Sequence, residues 1–551
     1  IYTLSELIGV SPWHWWADVP TVKNTSLSLT AEVLTKDDAP DVKYRGIFIN
    51  DEEASAVWGK MYENNTDSQG SPNPFIYGKM FELLLRLKAN TLWPAMHATS
   101  DAFNAIVNPE TGVSYNAELA NEYGIVMGAS HCEMLLCNNE TEWVPWCEAN
   151  VGKYNLKKLN NNWKDSYDYT VNAEAMNAYC EERVAANYRF ENIYTIGLRG
   201  VHDSEILCSA LSDKSWASKA DVVRSAIEAQ IAILEKYEDI YEKETGTRRE
   251  FATCFCPYKE AAEYYKYDLS LPSDCIILFA DDNYGYVRQY PTNTELETYA
   301  GCGVYYHVSY RGVPRSYLWI DSAPLSLIYE EMHKSFAAGS DDMWILNVGD
   351  LKPAEFSTNF FLDLAWDEAS ITKDSLEDWM KAFFKETFAL SDKDAEALSS
   401  LHSSFLQTAY AYRADFQGYN EGNEYAINAF GDEAQRVIDK MEKILADATA
   451  IYDSLDAAHK DAFFEIVLYR IRATLFTLEK NIYAQKNALA VAQGKFASVN
   501  GYAALAEEAY QNILKDLNTY NALQNGKWKG IMDPYITDNG SPVITGAPKV
   551  T

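Results

Sequence analysis

The sequence has 551 residues, 47% of them hydrophobic, and a formal net charge of −33. That length exceeds one ordinary domain, and that apolar share supports large buried cores, which excludes general disorder. An acid surplus of this size excludes nucleic acid and anionic membranes as expected partners, because both are held by basic surfaces. It does not exclude an anionic substrate, since charges are screened beyond roughly 8 Å and a few local cations can govern a pocket.

No run of 18 apolar residues is present, so no membrane insertion is expected. All nine Cys lie between Cys132 and Cys302, an odd count without zinc-ligand spacing, and they read as buried free thiols. The 14 Trp and 38 Tyr suit either large cores or stacking on sugar rings.

Residues 1–41 read as a lead-in segment. SPWHWWADVP (11–20) is too aromatic for a free linker and is expected to pack on the main domain. The chain begins at Ile1 without Met or a leader pattern, and is expected to be a fragment. From Val42 onward, short β-rich runs ending in polar residues alternate with helical stretches. YRGIFIN (44–50) is followed by a helix at YGKMFELLLRLKA (77–89), then come NTLWPA (90–95) and GIVMGAS (124–130). NIYTIGLRG (192–200) precedes the amphipathic SAIEAQIAILEKYEDIYEK (225–243). EFATCFCPY (250–258), CIILFADDN (275–283), GVYYHVSY (303–310) and MWILNVGD (343–350) complete the series.

Eight such units predict an α/β chain with a (β/α)8 TIM-type barrel over residues 42–370. The near-continuous apolar strands fit a parallel sheet covered on both faces. Residues 371–530 carry apolar positions at three and four spacing, as in 432–455 and 463–493, and predict an α-helical bundle. The bundle is expected to buttress the barrel or to supply dimer contacts, so a homodimer stays open. The Pro-, Gly- and Thr-rich stretch 531–551 reads as a tail or a linker to a missing domain.

Ten segments, in order, resemble glycoside hydrolase family 115, the α-glucuronidases of xylan and related polymers. They are GVSPWHWWADVP (9–20), KYRGIFINDEE (43–53), FELLLRLKANTLWPAM (81–96), EYGIVMGASHCE (122–133), IGLRGVHD (196–203), CPYKE (256–260), FADDNYG (279–285), GVYYHVSYRGVPRSYLW (303–319), WILNVGDLKPAEF (344–356) and NGKWKGIMDPY (525–535). Two segments depart from the family's usual pattern. His131-Cys132-Glu133-Met134 stands where two His are followed by Glu-Pro, and Arg199-Gly200-Val201-His202-Asp203 lacks the middle acid of Arg-Gly-Asp-Gly-Asp.

Barrel enzymes carry their chemistry at the C-terminal strand ends. Glycoside hydrolysis needs two carboxyl groups there, and in an inverting enzyme they lie roughly 6.5–9.5 Å apart. The resemblance implies an inverting mechanism with Asp203 and Glu260 as the pair. It implies Arg199 as the clamp on a glucuronate carboxylate, a task suited to a planar guanidinium. Lys259, Arg311 and Arg315 are further candidates for that task. Asn283, His307, Asn347, His131, Trp93 and Asp51 complete the implied substrate-binding set. Bland alternatives stay open: a helix N-terminal acid for Glu260, an ion pair with Asp203 for Arg199, turn or capping roles for the two Asn, core packing for the two His, and a barrel plug for Trp93.

No cofactor is expected, because dinucleotide, Walker and GxSxG motifs are missing. No metal is expected either: Asp281-Asp282 and His131-x-Glu133 lack a zinc ligand set, and HExxH is absent. The expected substrate is a polysaccharide or oligosaccharide. Release of glucuronic or 4-O-methylglucuronic acid from glucuronoxylan or arabinogalactan is the leading reading. The alternatives are a catalytically impaired carbohydrate binder and a glycosidase of the same fold with another sugar. Because such polymers lie outside cells, the expected location is secreted, periplasmic or at the cell surface.

Overall fold

The computed structural model describes residues 1–551 apart from 24, 27–38, 51–57, 59–73, 95–101, 417–424, 534–536, 539, 540 and 543–545. Eight strands form one sheet: β1 (Tyr44–Ile49), β2 (Thr91–Trp93), β3 (Val126–Met127), β4 (Ile193–Thr195), β5 (Ala252–Phe255), β6 (Cys275–Ala280), β7 (Gly301–His307) and β8 (Met343–Gly349). Their order is β3-β2-β1-β8-β7-β6-β5-β4, with parallel pairing throughout. A parallel bridge from Met127 to Asn192 brings β3 against the start of β4, so the sheet curls into a nearly closed barrel.

Alternation along the strands sorts the side chains. Phe48, Trp93, Val126, Ile193, Cys254, Ile276, Leu278, Tyr305, Met343 and Ile345 form a separate inner cluster. Their neighbours of opposite parity, such as Ile47, Ile277, Val304 and Leu346, join the larger core under the helices. This is the layered filling that makes a (β/α)8 barrel a packed body, not a pore.

The covering helices are unequal. α1 (Pro74–Arg86), α2 (Tyr115–Tyr123), α3 (Tyr169–Asn187), α4 (Trp216–Thr245), α5 (Leu325–Ala337) and α6 (Glu355–Trp366) pack on the outside. α4 runs longer than the periodic stretch 225–243, because Ser215 caps Ser218 N at its start and the left-handed Gly246 closes it. The helix expected to open at Glu260 is a single turn, Ala261–Tyr264. Its Tyr-rich run buries Tyr264 and stops well short of Pro272. A helix this short has little macrodipole, which weakens the capping explanation of Glu260.

Beyond the barrel lie α7 (Leu376–Phe388), α8 (Asp392–Ala411), α9 (Glu433–Ser454), α10 (Tyr469–Ala492) and α11 (Phe496–Ala522). The periodic run 463–493 is not uniform: Phe464–Leu468 form a π turn leading into α10. Two segments about 500 residues apart in the chain meet at the barrel–bundle junction. Trp528 stacks on Trp16 and Trp58 at 5.9 and 5.3 Å between ring centroids. Lys527 reaches Asp18 at 2.7 Å. The lead-in segment is further tied down by Trp13 Nε1, which donates to Asn359 at 2.8 Å, and by Trp16 Nε1, which donates to the Lys79 carbonyl at 3.0 Å. All nine Cys are buried free thiols. Among the described residues, no helix is long and apolar enough to cross a membrane.

The bundle carries a pH-sensitive site. Burial, reinforced by Glu442 and Glu508, pushes the Glu479 carboxyl of α10 up to about 7. A carboxyl raised on folding lends stability that is complete below its ordinary value, near 4.5, and is lost as pH rises through about 7. Glu479→Gln is therefore expected to gain in melting temperature over wild type as pH rises from about 5 to about 8, read by calorimetry. A pH-independent difference contradicts this.

Candidate active site

Arg199 organises the barrel mouth. It follows β4 and is 2% exposed. One edge of its guanidinium meets Glu260 in a bidentate pair, Nε to Oε1 at 2.7 Å and Nη2 to Oε2 at 3.1 Å. The adjacent edge faces Asp203, with Nη1 to Oδ1 at 2.9 Å and Nη2 donating to the Asp203 carbonyl at 3.0 Å. The ion pair with Asp203 left open by the sequence is thus present, and it extends to Glu260. Arg199 spans both acids in this arrangement and presents no open edge for a uronate clamp. Burial opposes its charge, but Asp203 and Glu260 outweigh that penalty and raise its pKa.

The acids themselves reach solvent. The side chains of Asp203 and Glu260 are 25% and 15% exposed. Lys259 Nζ closes on Asp203 Oδ2, and its side chain is 31% exposed. His131 Nε2 lies 2.8 Å from Asp203 Oδ1. Burial opposes the charge of Asp203, yet His131, Arg199 and Lys259 together hold its carboxyl well below the usual range. Burial pushes His131 down to about 4, against the pull of Asp203. At neutral pH it is therefore an uncharged imidazole that donates Nε2–H to a charged carboxylate.

The other expected residues gather around Tyr258. Its ring meets His131 edge-on at 4.5 Å, stacks at 5.9 Å on His307, and stands edge-on to Tyr305 at 6.0 Å. Its hydroxyl donates to Asn283 Oδ1. His307 Nδ1 pairs with Asp281 Oδ1. Asn347 is engaged at both ends of its amide: Nδ2 donates to Tyr305 Oη at 2.8 Å, and Oδ1 accepts from Gly349 N at 2.9 Å and Ser309 Oγ at 3.3 Å. Its role here is to brace β8 against β7, unlike the open sugar contact expected of it.

Trp93 is 0% exposed and belongs to the inner barrel cluster, 5.7 Å from Tyr305. Its placement is that of the barrel plug, not an open stacking face. Gly128 makes room for it, because a Cβ there would overlap the indole nitrogen. Asp51 lies outside the described residues.

Asp203, Lys259 and Asn283 have φ of 56°, 53° and 72°. Left-handed backbone costs a non-glycine residue on the order of 1 kcal/mol, and such strain collects at functional sites. Tyr258, Tyr305 and Asp281 were not in the expected set. Tyr305 could have been found by parity, since it lies two residues before His307 on one strand face. Tyr258 directly precedes Lys259 and Glu260 in the CPYKE segment. His131, Cys132 and Asp203 bring ligand-type atoms within 4.8 Å of one another. Lys259 and Arg199 already neutralise Asp203, so a divalent cation there would add charge to an occupied cationic site.

A parallel eight-stranded barrel that gathers two carboxylates around one arginine at its C-terminal strand ends has the design of a barrel glycoside hydrolase. The chain belongs to glycosyl hydrolase family 115, whose family pattern matches residues 37–416. Its fold is similar to that of a family GH115 4-O-methyl-alpha-glucuronidase with specificity for decorated arabinogalactans, at 32% identity and a TM-score of 0.81. That match covers 97% of this chain and 66% of the other, so the chain spans slightly less than two thirds of that structure's length. Two more distant likenesses concern the fold alone. One is a GH138 enzyme targeting pectin rhamnogalacturonan II, at 13% identity and a TM-score of 0.51, covering 90% of this chain and 82% of that one. The other is a family 89 glycoside hydrolase from Clostridium perfringens, at 12% identity and a TM-score of 0.51, covering 93% and 60%. Among curated proteins, none matches this chain.

Proposed function

We propose that this protein releases glucuronic or 4-O-methylglucuronic acid from side chains of a plant polysaccharide by an inverting, two-carboxylate hydrolysis. The observation that carries the reading is Arg199 holding Asp203 and Glu260 on adjacent edges of one guanidinium. The inverting course is taken from the resemblance to family 115, in which the two carboxyls are expected roughly 6.5–9.5 Å apart. Asp203, kept charged by its neighbours, and Glu260 are the two carboxyls of that reaction. Lys259, partly exposed next to Asp203, is the cation suited to the uronate carboxylate. Decorated arabinogalactan is the first polymer to try, because the similar structure is described as specific for it.

The test is incubation with decorated arabinogalactan and with glucuronoxylan, followed by ion chromatography of the acidic monosaccharide. The β-anomer is expected as first product by NMR, since an α-linkage is inverted. Binding without release at high enzyme concentration contradicts the hydrolase reading, and an α-anomer contradicts inversion. Lys259→Met is expected to raise KM for glucuronides about tenfold or more, by loss of a charge-assisted contact worth about 1.5–3 kcal/mol. An equal loss on a neutral glycoside would show that Lys259 does not read the carboxylate.

A further inference from the structure

Asp281 directly follows β6, and its carboxylate is fully buried, with the His307 side chain only 1% exposed. Its two oxygens serve two different elements. Oδ1 takes His307 Nδ1, from the end of β7. Oδ2 accepts the Gly285 amide at 2.8 Å, and Asp281 bridges to Val287, closing the turn that carries Asn283. The turn is braced elsewhere: Tyr306 Oη donates to the Gly285 carbonyl at 3.0 Å, Tyr317 Oη to the Asn283 carbonyl at 2.7 Å, and Val287 N to Glu331 Oε2 at 2.9 Å.

We infer that Asp281 is a positioning residue that joins His307 and the Asn283 turn into one rigid unit and dictates which nitrogen of His307 meets the sugar. A carboxylate only accepts, so Nδ1 must carry the proton. In the neutral ring Nε2 is then the bare nitrogen, an acceptor for a sugar hydroxyl. The same oxygen pair sets the reach of Asn283, whose side chain already takes the Tyr258 hydroxyl. Two contacts on one sugar are thereby held at a fixed spacing by a group that touches neither the substrate nor the reacting atoms. The sugar contact rests on the glycosidase reading, whereas the proton placement does not.

The substitution that separates positioning from packing is Asp281→Asn. It keeps shape and volume but can turn an NH2 toward Nδ1, which moves the ring proton to Nε2. With histidine labelled by nitrogen-15, the His307 signals are identified among the eight histidines by their loss in His307→Gln. Wild type is expected to show a protonated Nδ1 and a bare Nε2, and Asp281→Asn to show the reverse. On a released substrate, Asp281→Asn is expected to lower kcat/KM at least tenfold. A protonated Nε2 in wild type overturns the inference, and this spectrum needs neither the variant nor any activity. An unchanged tautomer, or an unchanged kcat/KM, in folded Asp281→Asn also overturns it. Should no polymer be hydrolysed at all, the proposed function fails while the nitrogen signals still decide the proton placement.

Discussion

Glu260→Gln and Asp203→Asn are each expected to lower kcat on a glucuronic-acid-bearing polymer by a hundredfold or more, the usual worth of positioned acid–base catalysis being about 10²–10⁴. Neither side chain is needed to seal a core, since both are partly open to solvent. The amides keep shape but turn a donor toward the cations that face each carboxylate, so a melting temperature shows that the variant is folded before a lost rate is read as lost chemistry. What each removes is a proton donor or acceptor at one atom. Asp203→Asn also deletes the charge that faces Arg199, Lys259 and His131 together. Its depressed carboxyl keeps Asp203 ionised well into acid, so protonation of Asp203 does not set the acidic limb of the wild-type profile near neutral pH. Steady-state rates and calorimetric melting temperatures of both variants check this. Near-wild-type turnover in either removes that residue from the pair.

Lys352→Met is expected to cost roughly 3–5 kcal/mol, the largest stability loss foreseen, because it strips one partner from a buried ion network. Lys352 follows β8, and its side chain is wholly buried. Its Nζ donates to Glu465 Oε2 at 2.5 Å, to Glu355 Oε1 at 3.1 Å and to the Trp16 carbonyl at 2.5 Å. Arg470, one residue into α10, pairs with the other oxygen of Glu355 and lies 3.7 Å from Asp321. Burial penalises the Lys352 charge, but Glu465 and Glu355 outweigh that and raise its pKa. The ammonium also lies 4.3 Å from the Trp528 ring. One lysine therefore joins the barrel, the bundle, the lead-in segment and the C-terminal matched segment. Met preserves volume but leaves buried Glu465 without its cation and Glu355 with Arg470 alone. The expected result is a melting temperature lower by many degrees, with Arg470→Met non-additive in the double variant. A change of only a degree or two contradicts the network's role.

The barrel was legible because parallel strands covered on both sides are short apolar runs, and eight of them recur with polar ends. Strand position was easier to read than helix length. The helix after Glu260 is one turn long, with Tyr264 buried and Tyr267 exposed, an ending that periodicity does not register. The π turn at Phe464–Leu468 is hidden for the same reason: apolar spacing looks alike on either side of it. At the site, it was the resemblance to family 115 that pointed to Asp203, Glu260 and Arg199 as neighbours. Their mutual geometry was not legible. Whether a guanidinium is open to a ligand or engaged by two acids depends on distances of a few ångströms, and no spacing in sequence encodes them. Trp93 and Asn347 make the same point. Each stands where a sugar contact is expected, yet the barrel interior and the β7–β8 pairing take them. Left-handed backbone at Asp203, Lys259 and Asn283 is likewise invisible, since none of these is glycine.

The most direct measurement is a crystal structure of Glu260→Gln soaked with an oligosaccharide capped by glucuronic acid. The anomeric carbon is expected between Asp203 and Gln at position 260, with the uronate near Lys259 and a ring hydroxyl on His307 Nε2. A sugar bound elsewhere on the protein, or one whose anomeric carbon lies out of reach of both positions, contradicts this placement.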